Sequence, residues 1–278
     1  MIDKLKIISS TSSWESQEEA WEDKANHFKK THPLKSLASL PKMAGITPKT
    51  AKFLKWKSLF YILRYDKNKI FLRYFFKRPF SYAISLISSY FNPKSFTRQG
   101  DFFYYGIKDE EEFKKCLAEK EAIILIGFSY CHKPMECPSG RFSDKCQNNP
   151  ESPVCSQCFI GKCSSLTSET KAKTVYIPTI HYIGEKIFEA THNNPGKPVF
   201  FLITACEMSL TMFGDWGNMI KARGIGVRLD GRICNTMKAF KLSEEGIKPG
   251  LTVVLDATQE KMLELMKHIR KDAYVEKV

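Results

Sequence analysis

Short apolar runs recur along the second part of the chain, separated by stretches whose apolar residues return every three or four positions. Ala122–Ile126, Thr174–Ile177, Val199–Ile203, Ile225–Leu229 and Leu251–Leu255 have strand length and are largely β-branched or aromatic, the pattern of parallel strands buried on both sides. Between them lie helical faces. Ile180, Ile183, Ile187 and Phe188 share one; Met262, Leu265, Met266 and Ile269 share another, after Asp256 and Gln259 in capping-box spacing. Strands joined by helix-length connections predict right-handed βαβ units, and so an α/β fold with a mostly parallel open sheet covered on both faces.

The first hundred residues have a different texture. Residues 12–30 predict a solvated helix with Ser12 and Glu15 in capping-box spacing and Trp14, Trp21, Ala25 and Phe28 along its apolar stripe. Thr47-Pro48 reads as N-cap and first helical position of a helix running through Leu54, Trp56, Leu59, Ile62 and Leu63 to Tyr65. Asp66-Lys67-Asn68-Lys69 interrupts it, and the apolar runs Ile70–Phe76 and Phe80–Phe91 follow.

Charge sharpens this boundary. The 278 residues, 43% apolar and 26% charged, suit a globular protein and carry a net charge of +13. Almost all of the excess lies in residues 1–100, with 19 Lys+Arg against 7 Asp+Glu, and within residues 31–100 there are 14 basic side chains and one acid, Asp66. A helical basic aromatic region over 1–99 is therefore expected to precede an α/β cysteine-rich metal-binding domain over 100–278. The basic stretch 48–98 fits three roles: an element resting on an anionic membrane surface, a nucleic-acid platform, or helices packed on the sheet domain with their lysines in water. Its apolar residues are spread around the helices, which disfavours nucleic acid. No run reaches the length of a spanning segment, and the N-terminus lacks the pattern of a secretory signal, so the chain reads as cytoplasmic with membrane association as an option.

Nine cysteines in such a chain point to metal binding or thiol chemistry rather than to disulfides. Three of them follow predicted strand ends. Cys131, Cys206 and Cys234 should emerge at the carboxyl edge of the sheet, where open parallel sheets bind ligands. Cys131, Cys137, Cys146, Cys155, Cys158 and Cys163 cluster in a long loop punctuated by Pro134, Pro138, Gly140, Pro150, Pro153 and Gly161. So few aliphatic residues cannot easily offset a backbone entropy of ~1–2 kcal/mol per residue, whereas metal–thiolate bonds can. Cys155-x2-Cys158 is a single tight knuckle, and the remaining gaps are irregular. All-thiolate ligands at such spacing favour an iron–sulfur cluster, with zinc as the alternative, and the eight thiols other than Cys116 would complete two sites of four. Cys116, in the polar run Glu110–Lys120, reads as a buried helix cysteine.

Cys131-x5-Cys137-Pro138, Cys158-x4-Cys163, Thr204-Ala205-Cys206-Glu207-x2-Leu210 and Gly231-x2-Cys234-Asn235-Thr236 together resemble the cysteine-rich family catalogued as domain of unknown function 116, over about residues 100–250. The resemblance implies metal or iron–sulfur binding by these cysteines and supplies no reaction. The chain departs from that pattern in having Ile233 where the family has proline, and a longer Cys146–Cys155 stretch.

Other polar residues at the same edge are Glu207, Arg232, Asn235, His181 and Asp256. Asp256 is expected to cap a helix and His181 to be a satisfied structural histidine; Glu207 and Arg232 stand open between structural and chemical roles. The glycines match no phosphate-binding fingerprint, so no nucleotide cofactor is expected. The reading that results is an iron–sulfur protein of redox or cluster-assisted activity with a small molecule or redox protein as partner. Two other classes remain: a zinc-stabilised module gripping an acidic partner, and a metal-free thiol enzyme pairing Cys131 with His132 or His181.

Overall fold

The computed structural model describes residues 46, 48–66, 68–91, 96–168, 170–231, 234, 237–247 and 252–269; the expected helix over 12–30 lies outside them, as do Arg232 and Asn235. The described chain begins with three helices, α1 (Pro48–Arg64), α2 (Ile70–Phe75) and α3 (Pro79–Phe91). Asp66 makes the break between the first two. Its carboxylate accepts the Phe71 N–H at 2.7 Å, and Lys69 takes a left-handed backbone at φ 51°.

There follow β1 (Thr97–Gln99), β2 (Phe102–Tyr105), α4 (Glu110–Ala118), β3 (Ile123–Ser129), a 3-10 turn at Tyr130–His132, α5 (Pro153–Gln157), α6 (Phe159–Thr167), β4 (Lys173–Ile177), α7 (Ile180–Asn193) and β5 (Val199–Ala205). Next are α8 (Glu207–Gly217), a 3-10 turn at Asn218–Ile220, β6 (Arg223–Arg228), β7 (Asp230–Gly231), α9 (Met237–Glu244), β8 (Thr252–Val253) and α10 (Asp256–Lys267). Six strands form one sheet in the order β1-β2-β6-β5-β3-β4, in which β4, β3, β5 and β6 are parallel and β1 and β2 are antiparallel additions.

Alternation along the strands divides the core in two. Phe103, Tyr105, Leu125, Val175, Phe201 and Ile203 face a layer that includes α7 and α8, with α1 and α2 packed into the same cluster through Leu54, Tyr61, Ile62, Ile70, Phe71 and Tyr74. Phe102, Tyr104, Ile124, Ile126, Phe200 and Leu202 face α4, α6 and α10 on the other side. Both faces are thus covered, as near-continuous apolar strands require.

One expected strand behaves differently. Of the described residues 252–255 of this run, only Thr252–Val253 is extended, and it pairs antiparallel with Asp230–Gly231 in a separate two-stranded sheet. The edge of β6 where it could have joined is already taken by β2, whose all-buried sequence Phe-Phe-Tyr-Tyr pairs Phe102 with Val227 and Tyr105 with Gly224. Asp256 also differs from expectation: Leu255 occupies the cap of α10 and Asp256 the first turn, while the Gln259 side chain donates to the Val254 carbonyl at 2.7 Å.

The order of the strands creates a switch point. From β3 the chain crosses outward to β4, from β4 it returns past β3 to β5, and from β5 it continues in the opposite direction to β6. Crevices in open α/β sheets form beyond the carboxyl ends at such a reversal. The register makes those ends level, with Ser129 beside Ile177 and Phe128 beside Thr204. The next residues out are those that carry Cys131 and Cys206.

Candidate metal-thiolate sites

Cys131 and Cys206 leave the sheet on either side of the reversal, and with Cys234 they line one cavity, together with Ser209, Glu244, Ile183, Leu210, Phe213 and Phe240. The backbone under them is cross-tied. Thr204 on β5 accepts the Ser129 N–H at 3.0 Å and meets His132 Nε2 at 2.8 Å, and the Ser129 hydroxyl oxygen accepts the Cys131 N–H at 3.3 Å. Cys206 lies directly before α8, its carbonyl accepting Leu210 N–H at 3.0 Å, and its sulfur is 3.1 Å from the Ser209 hydroxyl. A thiolate here would face helix amides, which favour negative charge.

A carboxylate that also lines this cavity was hidden in the sequence. Glu244, near the end of α9 among Lys241, Ser243 and Glu245, has the look of a solvated side chain, yet its Oε2 accepts Ile180 N–H at 2.8 Å at the start of α7. Tyr61 of α1 hydrogen-bonds it. Burial pushes the Glu244 carboxyl up to about 8, with the Ile180 amide pulling the other way. The part that α1 plays in this site is therefore direct: Tyr61 also packs edge-on to Phe240 at 5.2 Å, and Lys241 donates to the Tyr65 hydroxyl, just past the end of α1, at 2.7 Å.

A second cavity is built by the loop. Cys137, Cys146, Cys155 and Cys158 line it along with Lys133, Asn148, Ile160 and Gly161. Cys155 lies in α5, Cys158 caps α6, and the link between them is tight: Cys158 N–H donates to the Val154 and Cys155 carbonyls at 3.1 and 3.2 Å. Gly161 is required there, because a β-carbon would stand 2.4 Å from the Cys155 carbonyl oxygen. Burial raises the Cys158 thiol, while amide hydrogen bonds from Gly161 and Ile160 favour its thiolate. Backbone amides aimed at a knuckle sulfur are what a metal-bound thiolate needs to spread its charge.

The loop also has a polar anchor. Lys133 is 1% exposed, and its ammonium donates to the carbonyls of Ser143 at 2.6 Å, Lys145 at 2.7 Å and Gly140 at 3.4 Å. Burial lowers its pKa, opposed by Cys137 and Cys146. Arg141, also buried, donates to the Cys131 carbonyl at 3.3 Å and ties the loop back to the strand end. A buried cation beside four thiols favours the anionic form that metal ligation requires.

The eight cysteines of the expected ligand set therefore fall into groups of four and three, with Cys163 apart. Cys163 is fully buried in the core under α6 and lines neither cavity; burial and the neighbouring Cys158 raise its pKa. Cys116 is buried on α4 beside Phe113 and Leu117. His181 points to α1, within 3.3 Å of the Ile62 carbonyl, and Glu207 is bound by Arg228 at 2.9 Å and Arg98 at 2.8 Å, so neither lines the three-thiol cavity. His132 is held neutral, its pKa pushed down to about 3 by burial and by Lys133. Among the described residues, no three His, Cys, Asp or Glu side chains meet closely enough to hold a metal as they stand. The thiols share cavities without converging on a point.

Comparison with known proteins adds no relative: no protein-family model, curated protein or solved structure matches the chain.

Proposed function

We propose that the chain is an iron–sulfur protein whose thiols serve two unlike centres, with redox or cluster-assisted activity on a substrate at the sheet edge. The observation that carries this reading is the partition of seven cysteines between two cavities, Cys137, Cys146, Cys155 and Cys158 in one and Cys131, Cys206 and Cys234 in the other. The donor sets fit. Four thiols with a buried Lys133 and the Ile160 and Gly161 amides suit a closed centre that supports the loop, and three thiols at the switch point suit a centre with one position left for another ligand. Such a centre supplies electron transfer or Lewis acidity when bound. The chain's own part is to hold Cys131 and Cys206 level on neighbouring strand ends, to line the cavity with Ile183, Leu210, Phe213 and Phe240, and to present beside them the Glu244 carboxyl, whose pKa burial raises.

A second reading rests on the four-thiol cavity alone, since a closed tetrathiolate is also the structural zinc site of many small modules. Anaerobic purification with visible absorption and analysis of iron, acid-labile sulfide and zinc separates them. Broad visible absorption with iron and sulfide supports the iron–sulfur reading; colourless protein with stoichiometric zinc supports the binding module. Protein carrying neither after reconstitution with iron and sulfide or with zinc defeats both.

A further inference from the structure

Helix α3 has two apolar faces and only one of them has a use in the core. Tyr82 and Leu86 pack inward on the cluster shared with α8 and the Asn218–Ile220 turn. On the other side Phe80, Ile84, Ile87 and Phe91 are 84, 69, 58 and 80% exposed. Spacings of four, three and four place these residues in one stripe along the helix. Phe76, 70% exposed, stands just before it.

The charges that flank the stripe along the chain are of one sign, although Arg73 also meets Glu185 of α7 at 3.8 Å. Lys69, Arg73, Lys77 and Arg78 are exposed on α2 and on the turn leading into α3, and no Asp or Glu occurs from Ile70 to Phe91. The nearest acid in sequence, Asp66, is buried and accepts the Phe71 N–H in the first turn of α2. We propose that α3 lies in the interface of an anionic phospholipid bilayer, with its outer stripe among the acyl chains and these cations at the headgroups. A second copy of the chain would bring like charges together around a symmetric contact. Nucleic acid would leave the aliphatic Ile84 and Ile87 without a stacking role. At 1.5 Å per residue, 13 residues extend about 20 Å, short of a hydrocarbon core of about 30 Å, so the helix lies along the surface. Among the described residues no helix is long and apolar enough to cross a membrane.

The test is sedimentation of the full chain with vesicles of phosphatidylcholine alone and of phosphatidylcholine mixed with phosphatidylserine. Wild type is expected to pellet with the mixed vesicles and to be released as salt rises. The Phe80→Ser/Ile87→Ser variant is expected to lose on the order of tenfold or more in partitioning. Lys77→Gln and Arg78→Gln should each lose about fivefold at low salt. Leu166→Ser, at an exposed apolar residue on α6, should behave as wild type. Circular dichroism and thermal melts establish that each variant is folded. Wild type remaining in the supernatant with both vesicles, as it would if residues 1–45 of the chain cover the stripe, overturns the proposal. So does serine-variant binding equal to wild type, or a wild-type dimer that the serine variant splits.

Discussion

The two thiol cavities are neighbours in sequence and opposites in construction. Cys131 and Cys206 lie just past the ends of neighbouring strands whose hydrogen-bonded register is level, and Thr204 locks one strand end to the other. The sheet would hold that geometry without any ligand. Cys137 and Cys146 sit on chain without secondary structure, organised by one ammonium and a few turns, and only Cys155 and Cys158 have helices behind them. A site of the first kind can be emptied and refilled; a site of the second kind shares its stability with whatever fills it.

The largest effect expected is loss of the loop centre. Cys158→Ala, or chelation of loaded protein, should remove a contribution on the order of 10 kcal/mol to the loop, read as a large drop in thermal midpoint and rapid proteolysis between residues 133 and 158. Cys206→Ala should leave that midpoint nearly unchanged and alter only the spectrum or metal count of the second centre; equal destabilisation by both would erase the distinction between the cavities. Next, Lys133→Met orphans carbonyls of Gly140, Ser143 and Lys145 and should cost about 2–4 kcal/mol, measured by denaturant unfolding of metal-free protein. Gly161→Ala should cost about 1–3 kcal/mol and weaken metal retention at the four-thiol cavity alone, because the new methyl meets the Cys155 carbonyl.

The smallest effect concerns the sheet side. Burial lowers the His181 pKa below its ordinary value, with the Ile62 carbonyl and Asp66 opposing. The neutral form is thus the folded form; its contribution is complete above an unfolded value of about 6.5 and is lost as pH falls below it toward the folded one. Between about pH 7.5 and 5.5, wild type should lose more stability than His181→Phe, by denaturant titration at each pH.

Much of this was legible because burial leaves a simple imprint on sequence. Runs such as Val199–Ile203, short and rich in β-branched and aromatic residues, read as strands covered on both sides, and strand ends leading to Cys131, Cys206 and Cys234 follow from that. What was hidden depends on long-range partners. Lys133 in a proline-punctuated loop and Glu244 in a charged helix resemble surface residues, and nothing local shows that one meets three carbonyls and the other a distant helix terminus. The edge grouping of Cys131, Cys206 and Cys234 was readable from the strand ends, but the gathering of Cys137 and Cys146 around the Cys155–Cys158 knuckle, with Cys163 left in the core, was set by packing that the loop's spacing does not show. The Leu251–Leu255 run was over-read because its apolarity says nothing of which sheet edge is already occupied.

The margins of the main sheet have one further consequence. One side ends in β1, three exposed residues centred on Arg98, and the other in β4, five residues that begin at the exposed Lys173. Rims this short present few unsatisfied amides to a passing chain. Edge-to-edge pairing of one molecule's main sheet with the next is thereby limited on both sides.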